Sequence, residues 1–110
     1  MVEDSQISEN AASTIEHGGG VYVGSGIVVL RHTHINRNKA VGTNSRGGGI
    51  YNGGTVNLTE STVTENVSAP APGGIFNGGG QVTVDDKSVI SENRPTNCTP
   101  SAPPVPRCFG

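Results

Sequence analysis

An asparagine recurs at a nearly constant interval along most of the chain. It closes four similar stretches, DSQISEN, THINRN, STVTEN and SVISEN, at Asn10, Asn38, Asn66 and Asn93. The intervals between these asparagines are 28, 28 and 27 residues. An apolar residue lies three places before each of them, at Ile7, Ile35, Val63 and Ile90. Because four copies keep one register, a repeated structural unit must account for most of the chain.

The composition of each copy indicates short β-strands separated by turns. The copies are rich in Val, Ile and Thr and are interrupted by Gly, which is the pattern of strands and turns. Tetratricopeptide and ankyrin repeats are longer and need amphipathic helices, and leucine-rich repeats need a Leu/Asn consensus that is absent here. We therefore predict an all-β fold with three short strands and three turns in each copy.

Apolar and polar residues alternate within each copy, as expected for strands with one buried face. The residues predicted to point inward in the middle copy are Ile50, Val56, Leu58 and Val63. The matching upstream residues are Val21, Val28, Leu30 and Ile35, and the downstream ones are Ile75, Val82, Val84 and Ile90. Copies stacked about 4.8 Å apart would align them in apolar columns. This arrangement is a parallel β-helix, or solenoid, of about three coils of roughly 28 residues each.

The glycine runs recur in register with the apolar residues. Gly47–Gly49 and Gly53–Gly54 bracket the short stretch Ile50–Asn52, and sharp turns there need backbone conformations that glycine adopts without strain. A flexible linker would not keep this register. A phosphate-binding loop would need a helix start with a suitably spaced Lys or acidic residue, and neither is present.

The repeated asparagines are predicted to be structural. Identical amides stacked between coils can form a hydrogen-bonded ladder, and asparagine also tolerates the left-handed backbone conformation of turns. We therefore expect Asn10, Asn38, Asn66 and Asn93 to form such a ladder.

The chain of 110 residues is predicted to be one domain with two regions. Residues 1–93 would hold a partial first coil (1–10) and coils at about 11–38, 39–66 and 67–93. Residues 94–110 form a proline-rich, irregular or polyproline-like tail with the two cysteines, Cys98 and Cys108. Their spacing suits a small disulfide loop, which would imply an oxidising compartment. Reduced thiols are the alternative, and two thiols are too few for a structural zinc site.

The stretches GGGIYN and GGIFN, with the endings STVTEN and SVISEN, resemble right-handed parallel β-helix repeats of secreted bacterial proteins. They are similar to repeats of polymorphic outer-membrane, autotransporter-type passengers and to β-helix regions of pectate-lyase-like proteins. The resemblance covers about residues 4–93. It implies a right-handed β-helix and an extracellular or cell-surface location. One departure is Val23, where the other complete copies carry Asn52 and Asn77.

His32 and His34 are candidates for a metal pair because they lie two residues apart on a predicted strand. In register with Thr62, His34 is expected to point outward beside the inward Ile35. The adjacent coil carries Glu60 and Thr62 at the equivalent positions rather than a third His or Cys. We therefore expect an exposed polar strand, with no metal ion and no cofactor.

Charged residues recur at the position before each asparagine, as Glu9, Arg37, Glu65 and Glu92. Arg37 is expected to bridge Glu9 and Glu65 between coils, which would contribute a few tenths of a kcal/mol. A calcium ion between Glu65 and Glu92 would have too few oxygen ligands. Pectate lyases use carboxylates with an arginine, and glycosidases use two carboxylates across a groove. We can place neither, so no catalytic residue is predicted.

The aromatic residues Tyr22, Tyr51 and Phe76 fall in one column and are expected to stack. We do not expect the exposed aromatic platform that a carbohydrate-binding surface would need. An ice-binding surface would need an outward Thr-x-Thr pair in every coil, and only Thr62 and Thr64 form one. The matching pairs in the other coils are Gln6/Ser8, His34/Asn36 and Val89/Ser91.

These observations predict a non-catalytic secreted or cell-surface module with a structural, adhesion or scaffold role. The alternatives are a carbohydrate-binding or polysaccharide-lyase-like β-helix and an ice-binding solenoid. The net charge of −2 does not indicate a nucleic-acid-binding surface. No apolar stretch is long enough to span a membrane. The first residues do not have the pattern of a signal peptide. The chain is expected to be the C-terminal part of a longer β-helix, unless residues 11–17 fold over the end. Expected partners are further coils on the N-terminal side, a second copy at that open end, or a surface polysaccharide.

Overall fold

The fold, taken from a computed structural model, is described for residues 1–13, 19–41, 46–69 and 72–110. These residues form short β-strands and turns and contain no helix. Sheet 1 contains β1 (Val2–Glu3), β5 (Ile27–Arg31), β9 (Thr55–Thr59) and β13 (Gln81–Val84). Sheet 2 contains β2 (Gln6–Ser8), β6 (His34–Asn36), β10 (Thr62–Thr64) and β14 (Val89–Ser91). Sheet 3 contains β3 (Ala11–Ser13), β7 (Lys39–Val41) and β11 (Val67–Ala69), and sheet 4 contains β4 (Val21–Val23), β8 (Ile50–Asn52) and β12 (Ile75–Asn77).

All strand pairs are parallel, and each strand pairs with its equivalent in the next copy of the repeat. In sheet 2, for example, Ile7 is opposite Ile35, which is opposite Val63, which is opposite Ile90. In sheet 1, Leu30 is opposite Leu58. The period seen in the sequence is therefore the interval between paired strands, and the all-β prediction is confirmed.

In the described residues each repeat contains four strands, rather than the three that the sequence predicts. The additional strand follows the repeated asparagine and builds sheet 3. Its inward residues are small: Ala40 is 0% exposed and Ser68 is 2% exposed. Since strand patterns are recognised by alternating large apolar side chains, a strand that buries Ala and Ser gives almost no signal.

The predicted inward residues of the middle and downstream copies are buried. None is more than 6% exposed, and with core residues of the upstream copy they form one hydrophobic cluster. They are Ile50, Val56, Leu58, Val63, Ile75, Val82, Val84 and Ile90. Burial of large aliphatic side chains is the main stabilising contribution of such a core, at about 1.5–3 kcal/mol for each side chain.

The upstream copy differs in part from the prediction. Leu30 and Ile35 are 0% exposed, but Val21 and Val28 are only half-buried against the core. Val21 lies on β4, which pairs with one strand, β8, among those described. Strand β1 pairs with the end of β5 at Leu30 and does not extend to Val28. Val23, noted in the sequence as a departure from the asparagine pattern, is buried at 3% exposure.

The residue before each repeated asparagine adopts the left-handed backbone conformation. The φ angles of Glu9, Arg37, Glu65 and Glu92 are 58°, 54°, 56° and 58°. The asparagines are not among the residues with positive φ, although asparagine tolerates that conformation. The preceding residue makes the turn, and the asparagine side chain is left to point inward and form hydrogen bonds.

The glycines of the run Gly47–Gly49 in the middle repeat are required by geometry. Gly47 has a φ of 70°, which side chains other than glycine rarely adopt. A Cβ on Gly48 would lie 2.3 Å from the carbonyl oxygen of Val67 and 2.7 Å from that of Gly73. Adjacent repeats approach each other there too closely for any side chain.

The proline-rich segment 94–110 packs against the last repeat. Arg94 and Ala102 form parallel bridges to Val67 and Gly78. Cys98 and Val105 are 5% and 6% exposed and belong to the hydrophobic cluster. The segment is therefore part of the folded core, where the sequence predicts only an irregular tail.

Candidate functional site

An aromatic column runs along the outer face of sheet 4. Tyr22, Tyr51 and Phe76 are in register at the centres of β4, β8 and β12. The rings of Tyr22 and Tyr51 are stacked, with centroids 5.2 Å apart and planes at 7°. The rings of Tyr51 and Phe76 are also 5.2 Å apart and are tilted by 34°. Tyr22 and Tyr51 therefore stack as the sequence allows, whereas the Phe76 ring is tilted against Tyr51.

This column provides an exposed aromatic surface that is not predicted from the sequence. Tyr22 is 59% exposed, and Tyr51 and Phe76 are half-buried. The residues on either side of Tyr51, Ile50 and Asn52, are 0% exposed, so strand alternation directs the ring outward. The expectation of no exposed aromatic platform is therefore wrong, because one outward aromatic per repeat becomes a continuous surface only after stacking.

A shallow trough lies beside the aromatic column, at the turns that connect sheet 4 to sheet 1. Three equivalent triplets line it, Ser25–Ile27, Gly53–Thr55 and Gly79–Gln81. None of these residues is charged. The trough therefore has uncharged rims and a floor of glycine backbone, and it crosses three repeats.

The charged column before the repeated asparagines is not joined by ion pairs. Arg37, Glu65, Glu92 and Arg94 line part of a groove of about 390 Å³. Within the described ranges, the ion pairs are Arg31–Glu3 at 3.7 Å and His32–Glu60 at 3.5 Å. The predicted bridges from Arg37 to Glu9 and Glu65 are not among them. Exposed pairs contribute little because water screens the charges and ordering long side chains costs entropy.

The two candidate metal-binding histidines make separate contacts. His34 Nδ1 lies 2.7 Å from Thr62 Oγ1, and His32 Nε2 lies 3.5 Å from Glu60 Oε1. In the part of the chain that the structure describes, no three His, Cys, Asp or Glu side chains are grouped so that they could hold a metal ion.

The four predicted ladder asparagines lie in one row and are linked by hydrogen bonds. The side-chain oxygen of Asn66 accepts bonds from the backbone N–H and Nδ2 of Asn38, both at 3.0 Å. The same two bonds join Asn10 to Asn38 and Asn66 to Asn93. Asn97 continues the row, since its oxygen accepts both bonds from Asn93. Asn97 gives no signal in the sequence because it follows Asn93 by four residues, outside the period.

A second row of buried asparagines lies at the inner edge of sheet 4. Asn52 and Asn77 are 0% and 1% exposed, and Asn52 Nδ2 donates to Asn77 Oδ1 at 3.0 Å. Asn52 also accepts a bond from the backbone N–H of Gly54, and Asn77 donates one to the carbonyl of Pro103. These side chains hold the glycine turns and the C-terminal segment in place.

A third row consists of hydroxyl side chains between sheets 1 and 2. The backbone N–H of Thr33 donates to Ser61 Oγ at 3.1 Å, and that of Ser61 donates to Ser88 Oγ at 3.0 Å. Ser88 Oγ donates in turn to the Asp85 carboxylate at 2.6 Å, which also accepts from the backbone N–H of Glu60. The bond from Ser88, followed by backbone bonds, lowers the pKa of Asp85 below its ordinary value of 3.8.

A disulfide joins Cys98 and Cys108, whose Cα atoms are 6.2 Å apart. It closes a loop at the C-terminal segment, where the backbone N–H of Cys98 donates to the carbonyl of Gly110 and Asn97 Nδ2 donates to that of Phe109. The loop therefore holds in place both the last asparagine of the row and the buried Cys98.

No protein-family model, curated protein or solved structure matches this chain. The similarity to secreted β-helix repeats rests on the sequence stretches quoted above. The structure has no helix long and apolar enough to cross a membrane in its described ranges.

Proposed function

We propose that the chain is a right-handed parallel β-helix module with a non-catalytic structural, adhesion or scaffold role. The proposal rests on which positions of the repeat keep the same type of residue from one copy to the next. Most positions that recur in chemical type stack inside, above all the asparagine row from Asn10 to Asn93. The outward exceptions are the aromatic column on sheet 4 and the charged column before the asparagines. Other outward positions paired between repeats, such as His34, Thr62 and Val89, differ in type.

The β-helix proposal is supported by the pairing of strands. Each of the four sheets takes one strand from each of three or four successive repeats, and all pairs are parallel. Such pairing is expected when a chain winds repeatedly around one core and each coil contacts its neighbours. Right-handedness comes from the resemblance to secreted β-helix repeats. A helical far-UV circular-dichroism spectrum would refute the fold.

An extracellular or cell-surface location is part of the same proposal. The Cys98–Cys108 disulfide is consistent with it, because disulfides persist in oxidising compartments. We also propose that further β-helix coils, or a second copy, pair with the N-terminal edge. In support, β2 and β3 each pair with one strand among those described, β6 and β7 respectively.

Product release from a panel of plant and bacterial polysaccharides, with and without calcium, tests the non-catalytic role. We expect no product, because catalysis on polysaccharides needs acids and bases that converge on one groove. Activity in the parent protein that is lost in a Glu65→Ala, Glu92→Ala double variant would overturn the scaffold proposal in favour of an enzyme.

The aromatic column favours a second candidate, binding of a neutral polysaccharide along sheet 4. Sugar rings pack their apolar faces on aromatic side chains, and the adjoining trough carries hydroxyl and amide groups at Ser25, Thr55 and Gln81. Affinity electrophoresis in gels with neutral or acidic polysaccharides tests it. Tyr51→Ala should abolish any retardation by neutral polysaccharide, whereas Phe109→Ala, which removes an aromatic ring that is 84% exposed, should not. If both variants are retarded equally, the aromatic column is excluded as the polysaccharide-binding surface.

A further inference from the structure

A hollow of about 400 Å³ lies where sheet 4 meets the C-terminal segment. Its first wall is formed by Arg46, Phe76, Asn77, Gly78 and Gly79, and its second wall by Pro100, Ser101 and Ala102. The volume is that of a small-molecule site. The hollow is distinct from the trough, which crosses three repeats and contains no charged side chain.

The neutral polar groups of this hollow already have partners. The backbone N–H of Asn77 donates to Ser101 Oγ at 3.0 Å, and Asn77 Nδ2 donates to the carbonyl of Pro103 at 3.0 Å. Asn77 Oδ1 accepts from Asn52, and Ser101 Oγ donates to the carbonyl of Cys98. Apart from Arg46, the walls therefore offer mainly the apolar surfaces of Phe76, Pro100 and Ala102.

Arg46 is the exception. Its guanidinium carbon lies 5.1 Å from the centroid of the Phe76 ring, and its Nε is buried without a hydrogen-bond partner among the described residues. Neither ion pair found among the described residues involves Arg46, and no residue that lines the hollow is acidic. The four residues before it, Gly, Thr, Asn and Ser, carry no acidic side chain either. Buried donors without acceptors are rare in folded proteins, and Arg46 lines the hollow, so its guanidinium group is suited to an acceptor from outside the chain.

We propose that the hollow binds a small organic carboxylate with a flat, apolar body. The carboxylate would accept hydrogen bonds from Arg46, whose guanidinium group matches carboxylate geometry. The flat body would pack against the Phe76 ring and the apolar groups of Pro100 and Ala102. This is a binding site beyond the scaffold role, and it does not depend on the polysaccharide candidate.

Three probes of nearly equal shape separate charge from apolar packing. They are benzoate, neutral benzamide and cationic benzamidine, and each is titrated into the disulfide-bonded protein while amide and arginine Nε–H chemical shifts are recorded. We expect saturable shifts with benzoate at Arg46, Gly78 and Ala102. Hydrogen bonds between charged groups contribute about 1.5–3 kcal/mol, so benzamide should bind about tenfold or more weakly, and benzamidine should not bind.

Two variants test the role of Arg46. Arg46→Gln should weaken benzoate binding about tenfold or more. It should leave the affinity for benzamide within about twofold of that of the parent protein, since the apolar walls of the hollow are unchanged. Arg107→Gln makes the same change in net charge at an exposed position of the C-terminal segment and should leave benzoate binding unchanged. If Arg46→Gln does not fold, Arg46→Lys provides the test, since it should still prefer benzoate to benzamide.

Several outcomes would overturn the proposal. One is the absence of a saturable shift with benzoate up to its solubility limit. Another is equal affinity for benzoate and benzamide. A third is a benzoate affinity that falls equally in Arg46→Gln and Arg107→Gln, which would indicate only a general attraction of anions to a positive surface.

Discussion

The side chain of Asn66 occupies the middle of the asparagine row, and its replacement by alanine measures what the row contributes to stability. Asn66 is 0% exposed. Among the described residues its side chain takes part in four hydrogen bonds. Its oxygen accepts two bonds from Asn38, and its Nδ2 donates to the carbonyl of Ile35 and to Asn93 Oδ1 at 3.0 and 2.9 Å. The variant removes all four and leaves the Asn38 backbone N–H without its acceptor.

The expected cost of Asn66→Ala is about 4 kcal/mol, at about 1 kcal/mol of net stability for each hydrogen bond. For a chain of 110 residues, a total stability of about 0.05–0.15 kcal/mol per residue gives about 5–16 kcal/mol. The variant should therefore lose a quarter or more of its free energy of unfolding. With a urea slope of about 2 kcal/mol per molar, the unfolding midpoint should fall by about 2 M.

Urea unfolding followed by far-UV circular dichroism provides the measurement, and Asn10→Ala is the matched control. Asn10 is exposed, and among the described residues its side chain donates a single bond, to Asn38 Oδ1 at 3.0 Å. Its replacement should cost less than about 1 kcal/mol. If Asn66→Ala costs no more than Asn10→Ala, the reasoning that the buried amide bonds stabilise the stacked repeats is refuted.

Three further predictions follow from the core, the disulfide and the acidic turn. Val56→Asp should abolish the cooperative urea transition, because it places an unpaired charge at a position that is 0% exposed; a retained β-type spectrum with an unchanged midpoint would contradict this. Removing the disulfide with Cys98→Ser, Cys108→Ser should cost about 2–3 kcal/mol in urea unfolding, and intact mass after alkylation of unreduced secreted protein should show no free thiol. The hydrogen bond from Ser88 lowers the pKa of Asp85 in the folded protein. The contribution of Asp85 to folding stability is therefore full above pH 3.8 and is lost as the pH falls through the folded pKa. Unfolding midpoints recorded from neutral to acidic pH should therefore fall less steeply in Asp85→Asn than in the parent protein.

Several features of the fold could be predicted from the sequence because they repeat locally. The interval between asparagines specifies which strands pair, and Ile35, Val63 and Ile90 are opposite one another as the interval requires. The alternation around Val56 and Leu58 specifies the buried face of β9. A short-range period of two and a long-range period of about 28 are both visible in a single sequence.

Other features could not be predicted because they break the period or have weak side-chain signals. Sheet 3 was missed because Ala40 and Ser68 are small. Asn97 was missed because it lies four residues after Asn93 yet takes the next place in the row. The left-handed residue before each asparagine was missed because Glu and Arg have no particular preference for that conformation.

The all-β class, the pairing of repeats and most of the inward face follow from the sequence alone, since each depends on intervals along the chain. How non-equivalent parts meet is set by the three-dimensional fold. The fold stacks single outward aromatic residues into one surface and packs residues 94–110 against the last repeat. It also buries the Arg46 Nε–H beside Phe76 without an acceptor among the described residues. The physical reason is that stacking equivalent strands satisfies local and repeated constraints. The contacts of a turn or an end segment instead depend on residues that share no register and become neighbours only after folding.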